Sequence, residues 1–191
     1  RDNAVYPYEY TEWTEQNRLN RDNAEYEAIV AELPEAERPP GDTRLEQAMN
    51  IITSNDYCVK CHIVADYDPG GSLLAKAPDL STVNRRLRPN YLRHWIAKPT
   101  QILPYTPMPI NIQFNADLPH YGGVSQQLFH GTSIDQVDAV VDLLMNYSRY
   151  SNSRANVAEL VKPANIPEQG AAETTEAAAN HTVPATGSAG E

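Results

Sequence analysis

The chain of 191 residues is acidic, with a formal net charge of −10, and it contains only two cysteines. Residues 1–42 carry 4 basic and 11 acidic side chains, while residues 165–191 carry 4 acidic and no basic ones. The acidity therefore lies at the two ends. Nucleic acid is not an expected partner, because phosphate binding needs clustered Lys and Arg. No stretch of sequence approaches the roughly 18 consecutive apolar residues of a transmembrane helix.

The first 42 residues predict an N-terminal arm that is followed by a helix. Tyrosines at alternate positions predict an extended segment over residues 1–12. Apolar spacing predicts a helix over residues 13–33, and the prolines from Pro34 onward end it. The apolar positions of this helix are Leu19, Tyr26, Ile29 and Val30. We expect the whole of residues 1–42 to be an appendage to the core.

Residues 43–154 predict a domain of short helices. The first is amphipathic and begins near Thr43, and a later one begins at Pro89, which suits a first helical turn. Residues 99–132 predict a long loop, and Ser133 opens a capping box, Ser-Ile-Asp-Gln, at the start of the last helix. The apolar positions of these helices are Leu45, Met49, Ile52, Leu80, Val83, Leu87, Leu92, Trp95, Ile96, Ile134, Val137, Val140, Val141, Leu144 and Tyr147.

Residues 155–191 predict a C-terminal extension of low complexity. From residue 165 onward the segment is mostly Ala, Thr, Glu, Gly and Pro, and it has no aromatic side chain. Such a segment buries too little apolar surface to offset its conformational entropy. We therefore expect it to be disordered when alone.

Both cysteines lie in one motif, Cys58-Val-Lys-Cys61-His62. Two thiols at this spacing reach the two vinyl groups of one haem, and the adjacent histidine is directed at its iron. A structural zinc site needs four Cys or His ligands at suitable spacing, and a redox dithiol needs a βαβ context. A disulfide across two residues would be strained. The other histidines stand singly, at His94, His120, His130 and His181. Covalent haem attachment is the favoured interpretation.

The segment from Thr43 to Arg149 resembles a class I cytochrome c, the mono-haem family with a His/Met ligand pair. Beyond the motif, the resemblance rests on Ala77-Pro78-Asp79-Leu80, Tyr91-Leu92-x-x-Trp95-Ile96, Tyr105-Thr106-Pro107-Met108-Pro109 and the closing helix from Ser133. It implies an all-α cytochrome c fold around one haem c. One feature departs from the family: the first helix has no glycine where the closing helix would cross it, and Ala48 is its only small residue.

The resemblance also implies roles for individual residues. Cys58, Cys61 and His62 would bind the haem, and the carbonyl of Pro78 would accept a hydrogen bond from the second ring nitrogen of His62. Met108 would be the sixth ligand, since prolines on both sides stiffen its loop and a His/Met pair is typical of cytochromes c.

Other residues have less specific expected roles. Trp95 and Tyr105 would pack near the haem. Met49 and Met145 lie in amphipathic helices and are expected in the core. The alternatives to Met108 as the sixth ligand are His120 and His130.

The expected function is one-electron transfer, with no catalytic group beyond the haem and hence no enzymatic activity of its own. The expected partners are a redox protein donor and acceptor. The two extensions favour a subunit of a larger assembly, either a respiratory complex or a polymer of this chain, that contacts other subunits or copies of itself through residues 1–42 and 155–191. A free electron shuttle is one alternative, and a haem sensor or peroxidase with a displaceable sixth ligand is another. The resemblance implies a periplasmic or otherwise extracytoplasmic location. The chain opens on Arg1 rather than Met, so we expect that a secretory signal preceded it.

Overall fold

The computed structural model describes residues 8–70, 77–151 and 157–161. The helices in these ranges are α1 (Tyr8–Glu32), α2 (Arg44–Thr53), α3 (Pro89–Ala97), α4 (Pro99–Ile102), α5 (Ser133–Met145), α6 (Tyr147–Ser151) and α7 (Val157–Leu160). Short 3-10 turns lie at Glu35–Glu37, Cys58–Lys60, Leu80–Arg85 and Pro119–Tyr121. The predicted helical class is thus confirmed, while the cytochrome c fold stays a prediction. None of the helices in the described residues has the length and apolar character to cross a bilayer.

Helix α1 begins earlier than the sequence predicted. The extended segment expected over residues 1–12 is wrong for residues 8–12, which are already helical. Residues 1–7 of that expectation, and the disordered tail expected from residue 165, lie outside the described residues.

Two reciprocal caps fix the starts of α2 and α5. Thr43 accepts a hydrogen bond from the backbone of Glu46, and the Glu46 carboxylate accepts one from the backbone of Thr43, as the predicted start near Thr43 requires. On α5 the predicted Ser133 box is wrong by one residue. Thr132 is the cap and Asp135 is its partner, with N···O distances of 3.2 and 2.9 Å.

The core forms where α2 packs against α5. The 3-10 turn at Leu80–Arg85 and helix α3 pack beside them. Ala48 and Ala139 have no exposed surface, so small side chains are buried in both of the packed helices although glycine is absent from α2. Most of the predicted apolar positions are buried here. Ile134 was predicted to be buried and is 51% exposed, because it lies beside the buried face of its helix. Ile29, one of the predicted apolar positions of the first helix, is 53% exposed.

A buried carboxylate joins three helices. Asp142 on α5 accepts a hydrogen bond from Arg18 of α1 at 2.5 Å and another from Arg44 of α2 at 2.8 Å. The side chains of Asp142 and Arg44 are each only 6% exposed. A charge buried to this extent is tolerated only when it is paired and hydrogen-bonded. Arg18 donates to both oxygens and Arg44 to one of them, so the carboxylate holds both α1 and α2 against α5.

Tyr26 makes a second connection between α1 and the core. Its ring stacks on Phe129 with centroids 4.5 Å apart, and its hydroxyl donates to the Gln47 side chain and accepts from the backbone N–H of His130. Burial raises the pKa of Tyr26, so the hydroxyl stays protonated and able to donate. Leu19 and Val30 are also buried. The inner face of α1 thus packs as part of the core, more tightly than an appendage would.

We expect Asp142→Asn to destabilise the protein strongly, because it leaves Arg44 buried without its counter-charge. Breaking a buried pair in this way costs about 3–5 kcal/mol. Arg21→Gln is the control, since Arg21 is 64% exposed and exposed pairs contribute about 0–1 kcal/mol. Urea unfolding measures both variants. Equal midpoints for the two would show that the Asp142 pairs do not hold α1.

Candidate functional site

The Cys58–Lys60 turn places the motif at the edge of the core. The backbone N–H groups of Cys61 and His62 both donate to the carbonyl of Cys58, at 3.2 and 2.9 Å, which winds the three residues into one tight turn. Val59, between the cysteines, has no exposed surface, while Cys58 is half-buried and Cys61 is exposed. Val59 therefore anchors the motif, and Cys61 faces outward from it.

A short parallel pairing holds the residue after the second cysteine. The Ala77 N–H donates to the carbonyl of Cys61 at 3.0 Å, and the Leu80 N–H donates to that of Ile63 at 2.9 Å. Between these two bonds, Nδ1 of His62 lies 2.7 Å from the carbonyl oxygen of Pro78. The contact between His62 and Pro78 that the sequence predicted is present.

This contact determines which ring nitrogen of His62 can bind a metal. A carbonyl oxygen can only accept, so Nδ1 carries the hydrogen and Nε2 keeps its lone pair. Burial is the largest cause that lowers the pKa of His62, and the Pro78 carbonyl opposes it. The side chain is therefore set as a neutral imidazole with Nε2 as the donor, which is the form that ligates metals.

Asp79 directly follows the carbonyl that accepts from His62 and caps the next turn, a role that the sequence reasoning missed. Its carboxylate accepts from the backbone N–H and from the hydroxyl of Ser81, both at 2.8 Å, which caps the turn that follows. That turn is anchored in the core by Leu80 and Val83. The Asp-x-Ser spacing was the available signal, because Asp favours capping the backbone two residues on.

The environment of the thiols bears on the alternatives to haem attachment. Burial raises the pKa of the Cys58 thiol to about 12. Reactive dithiols and metal-binding thiolates have lowered pKa values in electropositive surroundings. Burial thus disfavours the thiolate of Cys58, the form needed for redox exchange or zinc binding.

The remaining predicted residues lie on α3 and on the loop after α4. Trp95 is half-buried and stacks on Tyr91, with centroids 6.1 Å apart. Met108 is half-buried, and its N–H donates to the Thr106 hydroxyl at 3.3 Å. Tyr105 is 83% exposed. Within the described residues, a hydrogen bond joins His62 to Pro78. No hydrogen bond or ring contact there joins Trp95, Met108 or Tyr105 to His62 or Pro78.

The segment from α3 to the 3-10 turn at residues 119–121 presents much apolar surface to solvent. Its large exposed side chains are Tyr91, Ile102, Tyr105, Phe114, Leu118 and Tyr121, each at least 36% exposed. Of these side chains, Phe114 and Tyr121 contact each other, with ring centroids 5.5 Å apart. The structure thus brings His62 and Pro78 together beside the two thiols, while Met108 lies on a separate proline-flanked loop.

Comparison of the chain with family models, with curated proteins and with solved structures gave no match. The geometry of the site itself is therefore what bears on the function.

We expect Asp79→Ala to loosen the contact between His62 and Pro78. Loss of a capping side chain costs about 0.5–2 kcal/mol, and the Nδ1 proton of His62 should exchange with solvent faster. Urea unfolding and NMR of the imidazole protons measure the two effects. Asp117→Ala is the control, since that residue is exposed in a loop. An Nδ1 proton as protected in Asp79→Ala as in the control would show that Asp79 does not position the carbonyl.

Proposed function

We propose that this chain is a one-electron carrier of the c-type cytochrome class. Cys58 and Cys61 would hold one haem through thioether bonds, with His62 as an axial ligand. The observation that carries the proposal is the His62–Pro78 contact of 2.7 Å beside the Cys-x-x-Cys turn, because it leaves Nε2 free to bind iron. When bound, the haem supplies an iron that gains and loses one electron.

His62 and Pro78 would set the strength of the proximal ligand. The Nδ1–H bond to the carbonyl fixes the ring orientation and makes the Nε2 donor more basic. The parallel pairing on each side of Pro78 keeps that geometry rigid. A rigid ligand changes little between the two oxidation states, which suits fast electron transfer.

Met108 is proposed as the second axial ligand. Pro107 and Pro109 restrict the backbone on both sides, and the contact with Thr106 restrains the loop further. A thioether favours ferrous iron and raises the reduction potential. A restrained Met108 supports electron transfer over the sensor or peroxidase alternative, which requires a sixth ligand that leaves the iron.

We further propose an extracytoplasmic location and a role within a larger assembly. The location follows from the mode of haem attachment. For the assembly, the inner face of α1 is covered by the chain's own core, so a partner would contact its outer face, where Ile29 is 53% exposed. A native gel stained for haem distinguishes a large complex from a free shuttle of the size of one chain.

Covalent attachment is tested first, on the chain expressed in a host that matures c-type cytochromes. Haem should stay with the chain on a denaturing gel, and Cys58→Ser with Cys61→Ser should abolish the stain. Lys60→Ala is the matched control, because Lys60 is an exposed position within the motif, and it should keep the stain. A wild-type chain without covalent haem would overturn the proposal.

Met108→Leu should remove the thioether ligand without changing the size of the side chain much. We expect the reduction potential to fall by on the order of 100 mV or more, and the ferrous protein to bind carbon monoxide. Met145→Leu, at a half-buried position on α5, should change neither property. Redox titration and carbon monoxide difference spectra are the measurements. A Met108→Leu protein that matches the wild type would assign the sixth ligand elsewhere.

A further inference from the structure

Two histidines that the haem proposal does not use lie together. The rings of His120 and His130 have centroids 5.7 Å apart and planes at 67° to each other. The sequence predicted them only as alternative iron ligands. In the fold they are neighbours of each other, and they come from the loop before Gly122 and the segment before α5.

The backbone holds His120 in an unusual conformation. Its φ of 54° lies in the left-handed region, and Tyr121 follows with a φ of 57°. Residues other than glycine adopt this region rarely, and such strain persists only where the surroundings impose it. Hydrogen bonds of 2.8 Å close the loop, from the Asn115 N–H to the Tyr121 carbonyl and from the Gly123 N–H to the Gln113 carbonyl. His120 is thus held in place by a closed loop.

His130 is held from the other side. Its N–H donates to the buried hydroxyl of Tyr26 at 3.1 Å. The side chain of Gln136, which has no exposed surface, accepts from the Val124 N–H at 2.8 Å and donates to the carbonyls of Val124 and Phe129. The buried side chain of Gln136 therefore restrains two backbone positions. One is Val124, shortly after His120, and the other is Phe129, directly before His130.

We infer that His120 and His130 form a two-ligand site for a divalent late transition ion such as Zn²⁺. Nitrogen–zinc distances of about 2.0–2.1 Å put the centres of two imidazoles on one ion about 5 Å apart. The observed 5.7 Å is close to that spacing, and rotation of the exposed His120 side chain closes the difference. Imidazole suits Zn²⁺, Cu²⁺ and Ni²⁺.

The exposure of the pair determines what kind of site it is. His120 is exposed and His130 is half-buried, so the ion keeps positions for water or for an external donor. Such a site binds its ion reversibly. The bound ion joins the strained loop to the segment before α5. This inference does not depend on the haem proposal.

Zinc binding to the full chain, measured by isothermal titration with zinc chloride, is the test. We expect one ion per chain, at least about tenfold weaker binding in His120→Gln and in His130→Gln, and a rise of a few degrees in Tm at saturating zinc in the wild type. His94→Gln is the control. That exposed histidine already engages the Asn90 carbonyl through Nδ1, and its loss should change nothing.

His120→Gly separates loss of the ligand from loss of the fold. Glycine adopts a φ of 54° without strain, so this variant should be at least as stable as the wild type without zinc and should still fail to bind zinc. No zinc binding by the wild type, or equal binding by the wild type and His120→Gly, would overturn the inference. Haem staining is read separately, so failure of this site would leave the haem proposal unaffected.

Discussion

The buried carboxylate of Asp142 is the interaction on which the arrangement of the helices depends. Its two oxygens pair with Arg18 and Arg44, so α1 and α2 are both held against α5. A lone carboxylate in this position would be too costly to bury, and so would Arg44 without it. The ion pairs and the apolar seam of α2 and α5 thus depend on each other. The motif at Cys58 begins just after α2, and its position follows from theirs.

At the candidate site the imidazole of His62 is held mainly by backbone groups. Ala77 and Leu80 pair with the chain on each side of His62, and Pro78, which has no N–H of its own, contributes only its carbonyl. Asp79 then ends the pairing by capping the next turn. Among the described residues, the hydrogen bonds of the imidazole and of the carbonyls of its two flanking residues lie within 61–63 and 77–81. The geometry of the His62 donor therefore requires little from the rest of the fold.

Local signals in the sequence predicted the starts of helices well. Thr43 with Glu46, and Pro89, mark the beginnings of α2 and α3 because capping and proline preferences act within one turn. The cap of α5 was misplaced by one residue because its capping box has Asp135 at the third helical position, where Glu or Gln is usual. Ile134 was misassigned because periodicity gives the direction of a buried face but not its edges.

Pairings across the chain could not be predicted from the sequence in the same way. The contact between Arg44 and Asp142 spans 98 positions, and Gln136 resembles any polar helix residue until the loop around it is known. At the site, the resemblance to a known family predicted the contact of His62 with Pro78, but it did not predict the role of Asp79. The pairing of His120 with His130 depends on two backbone conformations that no local pattern of residue types specifies.

The contact between Arg18 and Asp142 also constrains the order of events during synthesis. The two residues are 124 positions apart, so α1 emerges from the ribosome long before its counter-charge exists. Contacts so distant in sequence form late, since a long loop must close first. The whole Cys-x-x-Cys-His motif lies inside that loop. Until residue 142 has been made, the motif therefore belongs to a chain in which this ion pair has not formed.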